Sequence, residues 1–532
     1  MNHLSRKILS CLVISAALLL TIFHTLPPRA LSANAPANKF SAARAIGTIR
    51  TITGAPRLVG SQAYEEARAY LLSQLTALGL KTELQDTTIE GVRVENTLGR
   101  WEGRQSTDAI LLSAHLDSVP DSPGATDDGS GIAVIIETIR ALQAEVRPDN
   151  TLIVLFTGPE EICCYGAQAF VTRHPWAKDV KLVINVDAGG LSGPSILAAS
   201  GPNEGWLIEQ AAGVIPNPIG SSAIELFGSP ATDYTLMFRK HGWLGFDFNL
   251  SWKKNIHSRL DNLDNLNPDS IQHQGEHMLA LVRHFGNISL AAIPQKPRPI
   301  YFDILGLSML YYPTSWALPI LLGVTLAFIA ALLQGFQRKW LTGQGIGLGA
   351  LAFLLSLLTM PVLLILVQLV IIQPLLAVNM QLSRSLVGDS LLSNSIRWGS
   401  ALLTLMTTFL WYTLFRRTKR VDTYDLAFGA YLLIYACACG TTLAVPALSY
   451  LLVWPLLAGL IAILFRFSSG KEKPGQMSQP QFFGLLGAGV VAIMLFAPGI
   501  IIALFSIDMQ MIPLVPVFVV VLLGFLIPDL EI

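Results

Sequence analysis

The sequence predicts an α/β domain joined to an all-helical membrane region, and three observations carry that expectation. Apolar runs of strand length alternate with helical patterns through residues 40–285, the signature of a sheet with helices on both faces. Several of those runs end in loops rich in His, Asp and Glu, where open α/β sheets place their chemistry. Apolar runs near membrane-span length crowd the second half. The chain of 532 residues is 52% apolar and only 14% charged, too apolar for an ordinary soluble protein. Net charge is zero, which removes the electrostatic case for a nucleic-acid partner.

Arg6-Lys7 followed by Ile8 to Phe23 reads as a signal anchor or signal peptide within residues 1–34, so the segment after it is expected to be translocated. Small residues at Ala30 to Ala35 leave cleavage open. Phe40 to Ile49 and Tyr64 to Leu78 carry helical periodicity, with Gly79 placed for a C-cap. Lys81 to Ile89 and Val92 to Leu98 read as a strand hairpin. Buried strands follow at Ala109 to Ala114, Thr151 to Thr157 and Lys181 to Val186, and an apolar segment at Gly242 to Phe248 precedes His257. Helices are expected at Gly129 to Ala144 and Asp269 to Phe285. This domain is assigned to residues 35–290, and the proline-bearing residues 291–312 read as a linker.

Residues 313–532 hold seven candidate spans: Ser315–Leu333, Ile346–Ile372, Gly399–Phe415, Leu426–Ala444, Ala447–Phe465, Phe482–Phe505 and Ile512–Ile527. Arg338-Lys339, the cluster from Arg416 to Arg420, and Arg466 with Lys471 and Lys473 fall after the first, third and fifth. The positive-inside rule puts those loops in the cytoplasm and the α/β domain outside it. No histidine follows His284, and the spans hold almost no ionisable residues. Coupled transport normally needs such groups, so anchoring in the lipid bilayer is the expected role.

Five candidate metal ligands lie at strand or loop ends: His115, Asp127, Glu161, Asp187 and His257. Two Zn2+ ions per chain would be balanced by the three carboxylates and a bridging hydroxide, with the two imidazoles completing the shells. Asp127 is the natural bridge, since one carboxylate can serve two ions roughly 3.5–4 Å apart. His115 and Asp187 would complete one ion, and Glu161 and His257 the other; manganese and cobalt are alternatives. Glu160 points opposite to Glu161 if the segment is extended, so it can face the cleft as a general base. Asp117 is expected to orient the His115 imidazole, and Asp128 to cap the following helix. The five cysteines form no disulfide framework, and Cys163-Cys164 read as two buried thiols rather than a vicinal disulfide.

The strings His115-Leu-Asp117, Gly124-Ala-Thr-Asp127-Asp128-Gly-Ser-Gly131, Glu160-Glu161, Asn185-Val-Asp187 and Ile256-His257-Ser258-Arg-Leu-Asp261 closely resemble family-28 metallopeptidases, the di-zinc aminopeptidases. The resemblance covers about Ala42 to Phe285. The run from Ser229 to Tyr234, with several spans after the domain, resembles the endoplasmic-reticulum metallopeptidase and vacuolar membrane protease branch. It implies a three-layer α/β/α, phosphorylase/hydrolase-like domain with a mostly parallel mixed sheet. It also implies the same ligand roles and a cis peptide bond at Asp127-Asp128.

The implied activity is that of a membrane-anchored zinc exopeptidase, an aminopeptidase acting on peptides outside the cytoplasm, with Asp233 contributing to the site or its support. A bacterial periplasm is the favoured compartment; the sequons at Asn249 and Asn287 keep an endoplasmic-reticulum or vacuolar lumen as the alternative. Two departures stand out: Ile256 occupies the position where many secreted relatives carry a tyrosine, and the Cys163-Cys164 pair is unusual. The rival readings are a glutaminyl cyclase-like single-zinc enzyme and a non-catalytic receptor or scaffold. A His-x-x-Glu-His pattern at His273 to His277 also fits a zinc motif, but its residues fall on one face of an amphipathic helix with no downstream glutamate before Glu472.

Overall fold

A computed structural model describes residues 3–227, 231–252, 255–374, 391–418, 421–468, 477–506 and 511–528. Ser229, Pro230, Lys419, Arg420, Lys471 and Lys473, which entered the sequence argument, lie outside the described residues. The chain divides into two compact units, Leu26–Pro313 and the combination of Met1–Thr25 with Thr314–Ile532.

Helix α1 (His3–Thr25) belongs to the second unit. In the first unit, α2 (Ala42–Ile52) and α3 (Gln62–Ala77) begin at Ser41 and Ser61, whose hydroxyls accept the main-chain hydrogens of Arg44 and Tyr64. Strands β1 (Lys81–Ile89) and β2 (Val92–Trp101) pair antiparallel. Glu90 and Gly91 between them have φ of 50° and 86°, the left-handed pair that matches strand twist in a two-residue hairpin. Next come β3 (Ala109–His115), α4 (Gly129–Leu142), β4 (Thr151–Thr157), α5 (Tyr165–Arg173) and β5 (Val180–Ala188). Then follow β6 (Ser192–Gly201), α6 (Glu204–Ala212), β7 (Leu244–Trp252), α7 (Pro268–Phe285), β8 (Pro299–Ile304) and β9 (Ser308–Pro313).

The seven-stranded sheet runs β1-β2-β4-β3-β5-β7-β6. Its centre, β4-β3-β5-β7, is parallel, and the strands outside it join antiparallel. From β3 the chain passes to β4 on one side and then crosses to β5 on the other. The carboxyl ends of β3 and β5 therefore flank a switch point, where such sheets open a crevice. Alternation assigns the faces. Ile110, Leu112 and Ala114 pack with α2, α4 and α7, while Ala109 and Leu111 pack with Phe170, Tyr234 and Phe238. Cover on both faces explains why β3, β4 and β5 are apolar without a polar side. Close packing leaves Gly275 no room for a side chain: a Cβ there would lie 2.2 Å from the Phe40 ring.

The expected helices and strands are found, with shifts of a few residues at their ends. Strand β6 was not anticipated. Residues 291–312 are not a bare linker, because β8 and β9 form a hairpin there. Pro294, Pro297 and Pro299 mask the apolar run behind them. Ile300, Tyr301 and Phe302 are buried, and the Ser222 N–H donates to the Tyr301 carbonyl at 2.9 Å. Asn249, in the first sequon, is buried in β7, and its side-chain oxygen accepts the Gly189 N–H at 2.7 Å. The fold thus withholds that sequon from a glycan, whereas Asn287 is exposed.

The second unit continues with α8 (Ala317–Gln337), α9 (Gly343–Val367), α10 (Leu391–Thr418), α11 (Thr423–Ala444), α12 (Ser449–Ser468), α13 (Gln479–Ser506) and α14 (Leu514–Leu526). Among the described residues, six helical segments are long and apolar enough to cross a membrane: Ser5–Thr25, Thr314–Gln337, Gly343–Val370, Thr423–Ala444, Pro446–Ser468 and Gln479–Phe505. Five of them overlap expected spans, and the sixth is the N-terminal segment. The expected Gly399–Phe415 lies inside α10, which is long but falls outside that set. The expected Ile512–Ile527 coincides with α14, whose 13 residues reach only about 20 Å, short of a hydrocarbon core of about 30 Å. Arg466, read as a loop charge, is buried in the last turn of α12 with its guanidinium 4.4 Å from the Trp340 ring centre.

Candidate metal-binding site

The switch point gathers the five ligand candidates. His115 ends β3 and Asp187 lies near the end of β5. Asp127 precedes α4, Glu161 follows β4, and His257 follows β7. Asp127 connects them: its Oδ1 lies 2.9 Å from His115 Nε2, and its Oδ2 lies 3.2 Å from His257 Nε2. His115 Nε2 is also 3.7 Å from Asp187 Oδ1, and His257 Nε2 is 3.3 Å from Glu161 Oε2. One ligand atom each from His115, Asp127 and Glu161 falls within 4.8 Å of the others, and the same holds for His115, Asp128 and Asp187.

The electrostatics favour cations. Burial alone would lower the basicity of His115, but Asp117, Asp127 and Asp187 outweigh it and raise its pKa well above the ordinary value. Asp127 and Glu161 push His257 up to about 10. Burial works against ionisation of Asp127, yet the two imidazoles hold its pKa down to about 2. Protons on the imidazoles thus supply positive charge to a buried acidic cluster. Glu161 Oε1 is buried with no hydrogen-bond partner, an acceptor left over on a carboxylate already facing His257. Nitrogen and oxygen donors converging on both sides of one carboxylate fit metal binding.

The surrounding residues hold this geometry. Asp117 Oδ1 and Oδ2 accept the main-chain hydrogens of Glu160 and Glu161 at 2.9 and 3.1 Å. Its carboxylate lies 3.7 Å from His115 Nδ1, whose closer contact is the Asp117 carbonyl at 3.0 Å. The orienting role expected of the side chain is therefore shared with the main chain, and the carboxylate mainly anchors the Glu160-Glu161 segment. Asp128 caps α4 as expected, accepting from Gly131 at 3.0 Å and also from the His115 N–H at 3.2 Å. A Cβ at Gly131 would lie 2.5 Å from the Asp128 carboxylate oxygens, so glycine is what lets the cap close. The Asp127-Asp128 peptide bond is cis, matching the implication of the resemblance.

Glu160 is buried beside this cluster, and loss of hydration raises its pKa well above the usual range. Cys164 is buried with its Sγ 3.3 Å from Glu160 Oε1; burial beside carboxylates pushes its pKa up, so it stays a thiol. Cys163, expected to be buried, is exposed. Asp233 is buried, accepts from the Thr157 hydroxyl, and has a pKa raised to about 7 by desolvation. Ile256, next to His257, is only partly buried.

Two supports escaped the sequence reading. Arg57 is fully buried, and its three guanidinium nitrogens donate to the carbonyls of Leu116, Pro123 and Gly124 at 2.6, 2.6 and 3.1 Å. Asp261 accepts the main-chain hydrogens of Thr126 and Asp127 at 2.6 and 3.1 Å. Asp261 was quoted within a motif without a role, and Arg57 carries no signal beyond being a cation in an apolar stretch. The His-x-x-Glu-His pattern is structural. His273 accepts from the Ser195 N–H and donates to the Asn217 carbonyl, and His277 contacts Ser195 Oγ and the Pro216 carbonyl.

Residues 96–282 match Peptidase family M28. Endoplasmic reticulum metallopeptidase 1 of Mus musculus is 32% identical over 234 residues, covering 42% of this chain and 26% of that protein. A vacuolar membrane protease of Candida dubliniensis is 29% identical over 280 residues, covering 48% and 30% respectively. The chain thus spans about a quarter to a third of the length of these relatives. Among solved structures, a zinc aminopeptidase from Bacillus subtilis aligns at 15% identity with a TM-score of 0.39, covering 48% of this chain and 98% of that one.

Proposed function

We propose, from the match of residues 96–282 to Peptidase family M28, that this chain is a membrane-anchored, zinc-dependent aminopeptidase hydrolysing peptides outside the cytoplasm. The observation that carries the reading is Asp127, whose two oxygens face the imidazoles of His115 and His257. His115, Asp127 and Asp187 would hold one zinc, and Asp127, Glu161 and His257 a second. When bound, zinc polarises a peptide carbonyl and lowers the pKa of water.

The chain's own groups supply the proton transfers. Glu160 is close to the ligands yet contributes no atom to either of the ligand sets that include His115. Its raised pKa suits it to accept a proton from the attacking water and return it to the departing amine. Asp117 fixes the main chain at both Glu160 and Glu161, so base and ligand keep a constant relation. Arg57 and Asp261 hold the segment between His115 and Asp127. The remaining acidic groups favour the positively charged α-amine of a peptide.

The supporting topology is the positive charge at Arg6-Lys7, near the start of α1, and at Arg338-Lys339, just after α8, with the α/β unit between them on the extracytoplasmic side. The test is metal content and hydrolysis of aminoacyl substrates by detergent-purified full chain, beside Glu160→Ala. The reading expects two zinc per chain in both proteins and hydrolysis only in the unsubstituted one. One metal without peptide hydrolysis would replace it with a cyclase, and a protein that takes up no metal would remove the enzymatic reading.

A further inference from the structure

We infer that Cys164 is a positioning residue whose thiol donates to Glu160 Oε1 and fixes the orientation of that carboxylate. The inference rests on the reading of Glu160 as the proton-transfer group and adds a part to it. Cys164 Sγ lies 3.3 Å from Glu160 Oε1, with both side chains buried. The main chain fixes this approach, because the Cys164 N–H donates to the Glu160 carbonyl at 2.9 Å and the Tyr165 N–H to the Pro159 carbonyl at 3.1 Å.

Cys164 occupies a left-handed backbone position with φ of 54°, where glycine is the least strained residue. A cysteine stands there nonetheless, and its thiol points at Glu160. Its neighbour Cys163 is exposed and both thiols are free, so the pair does not act as a disulfide in this state.

The thiol also has a competitor for its single hydrogen. One ligand-type atom each from Glu160, Cys164 and Asp233 lies within 4.8 Å of the others. Asp233 Oδ2 accepts from Thr157, whereas Asp233 Oδ1 is buried with no hydrogen-bond partner. The sulfur therefore sits between two carboxylates, and the geometry gives its hydrogen to Glu160. A carboxylate otherwise able to rotate about its last torsion is held at one oxygen, leaving the second to take up the proton.

The experiment compares Cys164→Ala, Cys164→Ser and Glu160→Gln in zinc-loaded full chain, reading kcat and KM separately. Alanine removes the donor and is expected to lower kcat about tenfold with KM within twofold. Serine restores a donor and is expected to recover kcat to within about threefold. Glu160→Gln with Cys164→Ala is expected to be no slower than Glu160→Gln alone. Equal losses in alanine and serine, or additive losses in the double variant, would overturn the inference. Retained kcat in Glu160→Gln would instead remove the base assignment, which separates the two failures.

A second readout needs neither metal nor substrate. In a full chain with Cys11, Cys163, Cys437 and Cys439 replaced by serine, the only S–H infrared stretch belongs to Cys164. That band is expected at lower frequency than a free thiol and to move up in Glu160→Ala. A band that stays in place would overturn the hydrogen bond itself.

Discussion

Asp117 receives the main-chain hydrogen of Glu160 at 2.9 Å, so the carboxylate that follows β3 governs the loop that follows β4. With Glu161 held the same way at 3.1 Å, a single side chain sets the phase of two adjacent glutamates. Asp117→Asn turns one acceptor into a donor facing a main-chain N–H and frees one end of the pair. We expect kcat to fall roughly 10–100-fold, the range for supporting groups at metal sites, with the circular dichroism spectrum preserved. Steady-state peptide hydrolysis checks it; an unchanged kcat would show that the loop keeps its shape without this anchor.

Arg57 donates from three nitrogens to three carbonyls of the loop between His115 and Asp127. Methionine would fill the space but take the donor from the Leu116 and Pro123 carbonyls, while Gly124 keeps the Gly129 N–H at 3.1 Å. Leaving a buried acceptor without its partner costs about 1–3 kcal/mol. Arg57→Met should lower the denaturant midpoint of the α/β unit accordingly, read by proteolysis of the full chain in detergent. A change under about 1 kcal/mol would mean water replaces the guanidinium.

His273 supplies a pH signature of its own, as it is none of the five candidate metal ligands. Burial holds its pKa down at about 4, against 6.5 for the free side chain. The folded state therefore prefers the neutral ring. Its contribution is complete above pH 6.5 and is lost as pH falls through about 4. At about 1.4 kcal/mol per unit, the full loss is on the order of 3 kcal/mol. His273→Gln keeps one acceptor and one donor but does not titrate, so its unfolding free energy should fall less steeply between pH 6.5 and 4. Parallel slopes for the two proteins would contradict the buried neutral ring.

Gly275→Ala would press a methyl group into the Phe40 ring, 2.2 Å away. Overpacking of this kind costs about 1–3 kcal/mol. Phe40→Leu in the same chain should return part of the loss by making room. Two additive penalties in thermal unfolding would place the clash elsewhere.

The parts of the molecule legible in the sequence are those with local signals. His115, Asp187 and the Glu160-Glu161 pair follow unbroken apolar strands, and Asp128 stands three residues before Gly131 as a helix cap should. The illegible parts depend on distant returns of the chain. Arg57 acts on carbonyls 59 to 67 residues away, and its own neighbourhood gives no sign of that. The hairpin β8–β9 hides behind three prolines, because its strand character comes from packing on a core built much earlier in the chain. Arg466 sits among loop-like charges in sequence, yet the Trp340 ring, in the turn between α8 and α9, draws it inside. Cys164 looks inert beside Cys163, since nothing in one dimension separates the thiol that faces Glu160 from the one that faces outward.

The α/β unit is covalently continuous at both ends with helices of the other unit: α1 precedes it and α8 follows it. Helix α1 is itself packed within that other unit, with Ala17 in its core and Arg6 donating to the Met477 carbonyl. While α1 is retained, a protease that nicks the chain on one side of the α/β unit leaves it attached through the other. In the proposed membrane-anchored arrangement, shedding into the surrounding fluid, which one cut accomplishes for an ectodomain on a single stalk, would require two.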